Sequence, residues 1–159
     1  MPEPASQGAT TSVSRTINAP RKAVYQAFLD PVSLASWLPP ETMTGKVHQF
    51  EPWVGGKLRM SLVYQDPQQS PSGKTSEDTD TFEGRFVELV PDEKVVWAVT
   101  FDSQDPGFAG EMRITWNLAD AAEATEVTVR CENIPQGVRP EDNEMGSRSS
   151  LRNLAALLE

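Results

Sequence analysis

Residues 51–65 read EPWVGGKLRMSLVYQ, and this stretch decides the fold. Beyond the glycine pair Gly55-Gly56 the side chains alternate. Leu58, Met60, Leu62 and Tyr64 fall on one side, and Lys57, Arg59, Ser61 and Gln65 on the other. A period of two is the signature of a β-strand with one buried face. Two adjacent glycines ahead of it supply the backbone freedom, positive φ included, that a sharp turn requires. Trp53 then stands near the rim of a sheet, as rim packing or as part of a pocket entrance.

The same alternation recurs along the chain. Thr11, Val13, Arg15 and Ile17 share one face of the first segment. KVVWAVTF (94–101) sets Val95, Trp97, Val99 and Phe101 together, and GEMRITWNL (110–118) does the same with Met112, Ile114, Trp116 and Leu118. TEVTVRCE (125–132) places Val127, Val129 and Cys131 opposite Glu126, Thr128, Arg130 and Glu132. One apolar and one polar face mark an antiparallel sheet covered on a single side. TFEGRFVELVP (81–91) breaks the pattern, because Phe82 and Phe86 share parity while Val87 and Leu89 do not. A bulge or change of face is expected there.

Helices are expected in two regions. In NAPRKAVYQAFLDPVSLASWL (18–38), Pro20 suits a first helical position, and Val24, Tyr25 and Phe28 form an apolar stripe. Asp30-Pro31 reads as a cap and restart, giving a second short helix with Val32, Leu34 and Trp37. The other is PEDNEMGSRSSLRNLAALLE (140–159), with Leu151, Leu154, Leu157 and Leu158 at helical spacing. Its acidic start favours the positive end of the helix dipole. Gly146 weakens it by roughly 1 kcal/mol relative to alanine, so the helix could begin only after that point. Residues 65–81 are polar and rich in Pro, Ser and Asp, which reads as a mobile loop. The first nine residues read as a disordered tail, leaving 10–159 as one domain.

The chain has 159 residues. That fits one domain burying roughly 70% of its unfolded surface. A formal net charge of −9 opposes nucleic-acid binding, which depends on Lys and Arg neutralising phosphates. An anionic membrane surface is disfavoured for the same reason. No stretch approaches the ~20 apolar residues of a membrane span. The N-terminus lacks the basic and apolar regions of a signal peptide. A soluble, cytoplasmic protein is expected.

Chemistry-bearing residues are few. The lone histidine, His48, has no metal-ligand companion at a recognised spacing, so no metal or cofactor is expected. The lone cysteine, Cys131, shares parity with Val127 and Val129, which predicts a buried, unreactive thiol. No G-x-S-x-G nucleophile elbow occurs. Arg15 shares parity with Val13 and Ile17. An inward guanidinium would need a partner, so it either reaches solvent, pairs with a carboxylate, or anchors an acidic or carbonyl-bearing ligand. Trp37, Trp53, Trp97 and Trp116, with Tyr64, Phe82, Phe86 and Phe101, give the chain many large rings.

A sheet with one apolar face needs a cover, and the C-terminal helix supplies it. Its leucines should turn towards Leu62, Trp97, Met112 and Trp116, with the twisted sheet wrapped around the helix. Space between the two would form a pocket, and an apolar cavity with one or two polar groups is the default small-molecule site. Met60 and Met112 suit an adaptable cavity wall.

INAPRKAVYQAFLDPVSLASWLPP, GGKLRMSL, FEGRFVELVPDEKVVWAVTF and SLRNLAALLE together resemble the activator-of-heat-shock-protein-90-ATPase homologues. These belong to the START-like, helix-grip superfamily. The resemblance covers roughly residues 11–159. It implies an α+β helix-grip fold: a curved antiparallel sheet of six or seven strands around a long C-terminal helix, with two short helices after the first strand. Family members often carry a Gly-Trp pair early in the last helix, where this chain has Gly146 followed by Ser147.

The leading expectation is a binding module for an apolar or aromatic small molecule, without evident catalysis. The candidate ligand-binding residues are Trp37, Trp53, Met60, Leu62, Tyr64, Phe86, Trp97, Met112 and Trp116, with Arg15 and His48 as polar groups. Two alternatives are a domain that docks on a heat-shock-protein-90-type chaperone, and a cyclase- or hydrolase-like enzyme of the same cavity using His48, Arg15 or a loop carboxylate. A homodimer is compatible with either.

Overall fold

The structure, a computed structural model, describes residues 9–39, 43–64, 79–101 and 106–159. Strand β1 (Ala9–Ile17) is followed by helices α1 (Arg21–Ala27) and α2 (Pro31–Trp37). Strands β2 (Met43–Phe50), β3 (Lys57–Tyr64), β4 (Thr79–Val90) and β5 (Lys94–Phe101) come next. After a 3-10 turn at Pro106–Phe108 come β6 (Met112–Ala121), β7 (Ala124–Ile134) and helix α3 (Pro140–Leu158). The described strands form one sheet of seven in the order β1-β7-β6-β5-β4-β3-β2, and every neighbouring pair is antiparallel. This is the expected α+β architecture.

Local chemistry explains most of the elements. Asp30 caps α2, its Oδ1 accepting from the Val32 N–H at 3.0 Å, and Pro31 occupies the first turn, where its missing N–H costs nothing. Pro20 lies one position earlier than expected: it is the extended N-cap residue of α1, with Arg21 opening the helix. Helix α3 runs unbroken through Gly146, so the expectation of a later start is corrected. Glu141 and Asp142 in its first turn interact favourably with the helix dipole, and the burial of Leu151, Leu154 and Ala155 offsets the glycine's cost.

In β4 the pairing with β5 shifts between Phe86 and Glu88. This bulge places Leu89 opposite Val95, on the face that Phe86 shares with Trp97 despite the odd spacing between Phe86 and Leu89. The β2–β3 turn is clasped onto the same place. The Gly55 N–H donates to the Phe86 carbonyl at 2.8 Å, and the Phe86 N–H donates to the Gly56 carbonyl at 2.9 Å. Gly55 has φ +86°, where glycine alone is unstrained, and a Cβ at Gly56 would run into the Glu51 carbonyl. The glycine pair is therefore a steric requirement of the turn.

The apolar face carries Leu58, Met60, Phe82, Phe86, Val95, Trp97, Met112, Trp116, Val127 and Val129, all buried in one core with α1, α2 and α3. Helix α3 runs closest to β1, β7 and α2. It also caps the end of α2, whose last carbonyls have no helical partner. Ser150 Oγ donates to the Leu38 carbonyl at 2.5 Å, and Asn153 Nδ2 donates to those of Pro39 and Trp37 at 2.9 and 3.3 Å. The tail expected at 1–9 falls, through residue 8, outside the described residues, as does the expected loop through residue 78. Thr79–Thr81 already belong to β4.

Candidate functional site

The sheet and the two short helices bring large rings to one place. Phe28, the residue after α1, meets Trp37 of α2 at 4.8 Å between ring centroids and Trp116 of β6 at 5.1 Å. Trp37 and Trp116 lie 5.4 Å apart, and Trp116 and Trp97 of β5 5.6 Å apart. Phe86 links Trp97, at 6.3 Å, to Phe50 of β2, at 5.8 Å. Every contact is edge-on, the geometry that sets one ring's positive edge against another's negative face. Such pairs contribute about 0.5–1.5 kcal/mol each beyond their burial.

The polar atoms of these rings are not treated alike. The Trp37 Nε1–H donates to the Ala27 carbonyl at 3.0 Å, satisfying an acceptor at the end of α1. The indole N–H groups of Trp97 and Trp116 are buried with no hydrogen-bond partner among the described residues. A buried donor left unpaired costs about 1–3 kcal/mol. An aromatic face is only a weak substitute acceptor. Among the described residues no charged side chain is buried; the buried polar residues are Thr11, Ser61, Thr125 and Ser150. Nor does any group of three His, Cys, Asp or Glu side chains gather among them to hold a metal ion.

Several expected site residues converge. Trp37, Phe86, Trp97 and Trp116 form the ring cluster, Met60 and Met112 are buried in the same core, and Leu62 packs against it half-buried. Others stand apart. Trp53 is 59% exposed on the β2–β3 turn. Arg15 is exposed, because β1 is an edge strand from which a long side chain reaches water. His48 is exposed, and its Nε2 lies 2.7 Å from Ser61 Oγ, itself 2.9 Å from Thr81 Oγ1. Ser61 alternates with Met60 and Leu62, so this chain of bonds crosses β2, β3 and β4 on the face opposite the rings. A catalytic role for His48 in the interior is not compatible with that position. The Tyr64 side chain lies outside the described residues.

Two members of the cluster were not among the expected site residues. Phe28 was legible only as part of a helical stripe, and Phe50 ends a strand whose alternation is weak. Cys131 is buried, as its parity predicted. Burial pushes its thiol pKa up, while hydrogen bonds from Asn143, Thr11 and Ser147 pull the other way and are outweighed. At Gly146 the helix leaves a gap: the position is half-buried, yet an added Cβ would meet no described atom within 4 Å.

A curved antiparallel sheet closed by a C-terminal helix defines a helix-grip protein, a type of fold that commonly binds hydrophobic ligands. The chain belongs to the family described as Activator of Hsp90 ATPase homolog 1-like protein, which matches residues 18–159. A crystallised protein from Chromobacterium violaceum is 35% identical, with a TM-score of 0.83 over 94% of this chain and 96% of that one. A solution structure from Arthrobacter aurescens has a TM-score of 0.77 at 17% identity, over 98% of this chain and 88% of that one. A crystallised AHSA1 protein from Silicibacter pomeroyi has a TM-score of 0.75 at 17% identity, over 94% of this chain and 96% of that one. No curated protein matches the sequence. No described helix is long and apolar enough to cross a membrane.

Proposed function

We propose that the protein binds an uncharged apolar or aromatic small molecule between the apolar face of its sheet and its helices. The observation that carries this reading is the cluster of interlocked rings on that face, in a core that buries no charged residue among those described. A charged ligand would find nothing there to compensate its lost hydration, whereas a ring system would meet aromatic edges and the flexible side chains of Met60 and Met112.

The test is a thermal-shift screen of the purified chain against uncharged fused-ring compounds, with native mass spectrometry of the unexposed protein alongside. A ligand at one hundred times its Kd stabilises by about 2.7 kcal/mol. For a domain of this size that raises Tm by roughly 5–10 °C. A broad panel giving no shift, together with no co-purifying molecule, would remove this reading.

A further inference from the structure

Trp97 and Trp116 sit on neighbouring strands, on the same face of the sheet. Trp97 pairs with Ile114 and Trp116 with Val95, so the two indoles are diagonal neighbours, 5.6 Å between ring centroids. They are 1% and 3% exposed, and neither N–H has an acceptor among the described residues. Trp37, third in the same cluster, does have one. The two donors that lack a partner among the described residues therefore lie together on β5 and β6, on the face that carries the ring cluster.

We infer that this pair is a recognition site for one hydrogen-bond-accepting oxygen, and that the ligand is an aromatic or fused-ring molecule bearing a carbonyl. The inference rests on the binding reading above and narrows it to a chemical class. A carbonyl oxygen has two lone pairs and can accept from both indoles at once. An ether or carbonyl suits the site better than a carboxylate, because no buried cation among the described residues stands by to offset a full charge. A ligand N–H, which can only donate, would leave both indole N–H groups unpaired. The site thus selects for an acceptor on an otherwise apolar frame, and a hydrocarbon of the same shape would fill the space without satisfying it.

Two probes of nearly equal shape separate the possibilities: 2-acetylnaphthalene and 2-ethylnaphthalene, titrated into the full chain by tryptophan fluorescence. The ketone is the less apolar of the two, so burial alone favours the hydrocarbon. The expected result is the reverse, with the ketone bound about tenfold more tightly, equivalent to about 1.4 kcal/mol. In Trp97→Phe and Trp116→Phe the preference should shrink towards parity while the hydrocarbon still binds. Equal or weaker binding of the ketone to the unaltered chain would overturn the inference and leave apolar binding intact. Binding of neither probe would take both away. Should the phenylalanine variants fail to fold, the indole N–H resonances of the unaltered protein give an independent readout. Two of them should move downfield with the ketone and not with the hydrocarbon, and resonances that stay in place would sink the idea.

Discussion

Cys131 shows how far a single residue could be read before the fold was known. Its parity with Val127 and Val129 put it on the apolar face, and it is buried there. The bonds with Asn143 and Ser147 depend on where α3 lies, and that with Thr11 on the pairing of β1 with β7, tertiary facts with no trace in the local pattern. Because burial raises the thiol's pKa in the folded chain, the folded state holds its proton to higher pH than the unfolded one. The resulting stability is complete below the ordinary thiol value of about 8.5 and is lost as pH rises through the raised value. Tyr25 acts in the same direction from about pH 10 upward, its phenol raised first by burial and then by the charge of Asp92. Thermal melts from pH 7 to 11 should show Tm falling in the alkaline range, and Cys131→Ala should flatten the earlier part of the fall. A profile unaffected by that substitution would mean the thiol does not titrate with unfolding. Arg15 was less legible. Strict alternation pointed it inward, and only its place on an edge strand shows why water reaches it.

Among the elements, α3 carries the clearest expectation. Gly146 lies inside a continuous helix, and beyond that helix's own backbone an added Cβ would meet no described atom within 4 Å, so Gly146→Ala removes a helix penalty of roughly 1 kcal/mol without a clash. Calorimetry should show Tm raised by about 2–4 °C; a lowered Tm would mean that the gap is occupied. The strands and their faces were legible because a half-buried antiparallel strand repeats every two residues. The bulge in β4 was legible as a break in that repeat, and the capped start of α2 as Asp30-Pro31. The continuity of α3 was not, since glycine's intrinsic penalty is a local quantity and the buried leucines that outweigh it act through tertiary packing. The ring cluster was partly legible: four of its members could be named as candidates. That Trp37 alone of the three finds an acceptor depends on where α1 ends, and no spacing in the sequence encodes that.

At the scale of the molecule, the sheet order places β1 and β2 at opposite edges, although they are the first and second strands of the chain. The segment holding α1 and α2 therefore crosses the sheet, and β1 closes against β7. Ser14 and Thr128, hydrogen-bonded at 2.7 Å, are 114 positions apart. Pairings this distant incur loop-closure entropy before they yield contacts, so refolding should relax in milliseconds to seconds. Stopped-flow fluorescence of the interior tryptophans would measure it, and a microsecond phase carrying the full amplitude would contradict the assignment of β1 to β7. During synthesis the same arrangement becomes a delay. At roughly 5–20 residues per second, β1 leaves the ribosome on the order of 10 s before the strand it pairs with. For that interval the newest protein in the cell carries its oldest strand with neither edge paired, and every truncated product that stops short of β7 leaves both edges open for good.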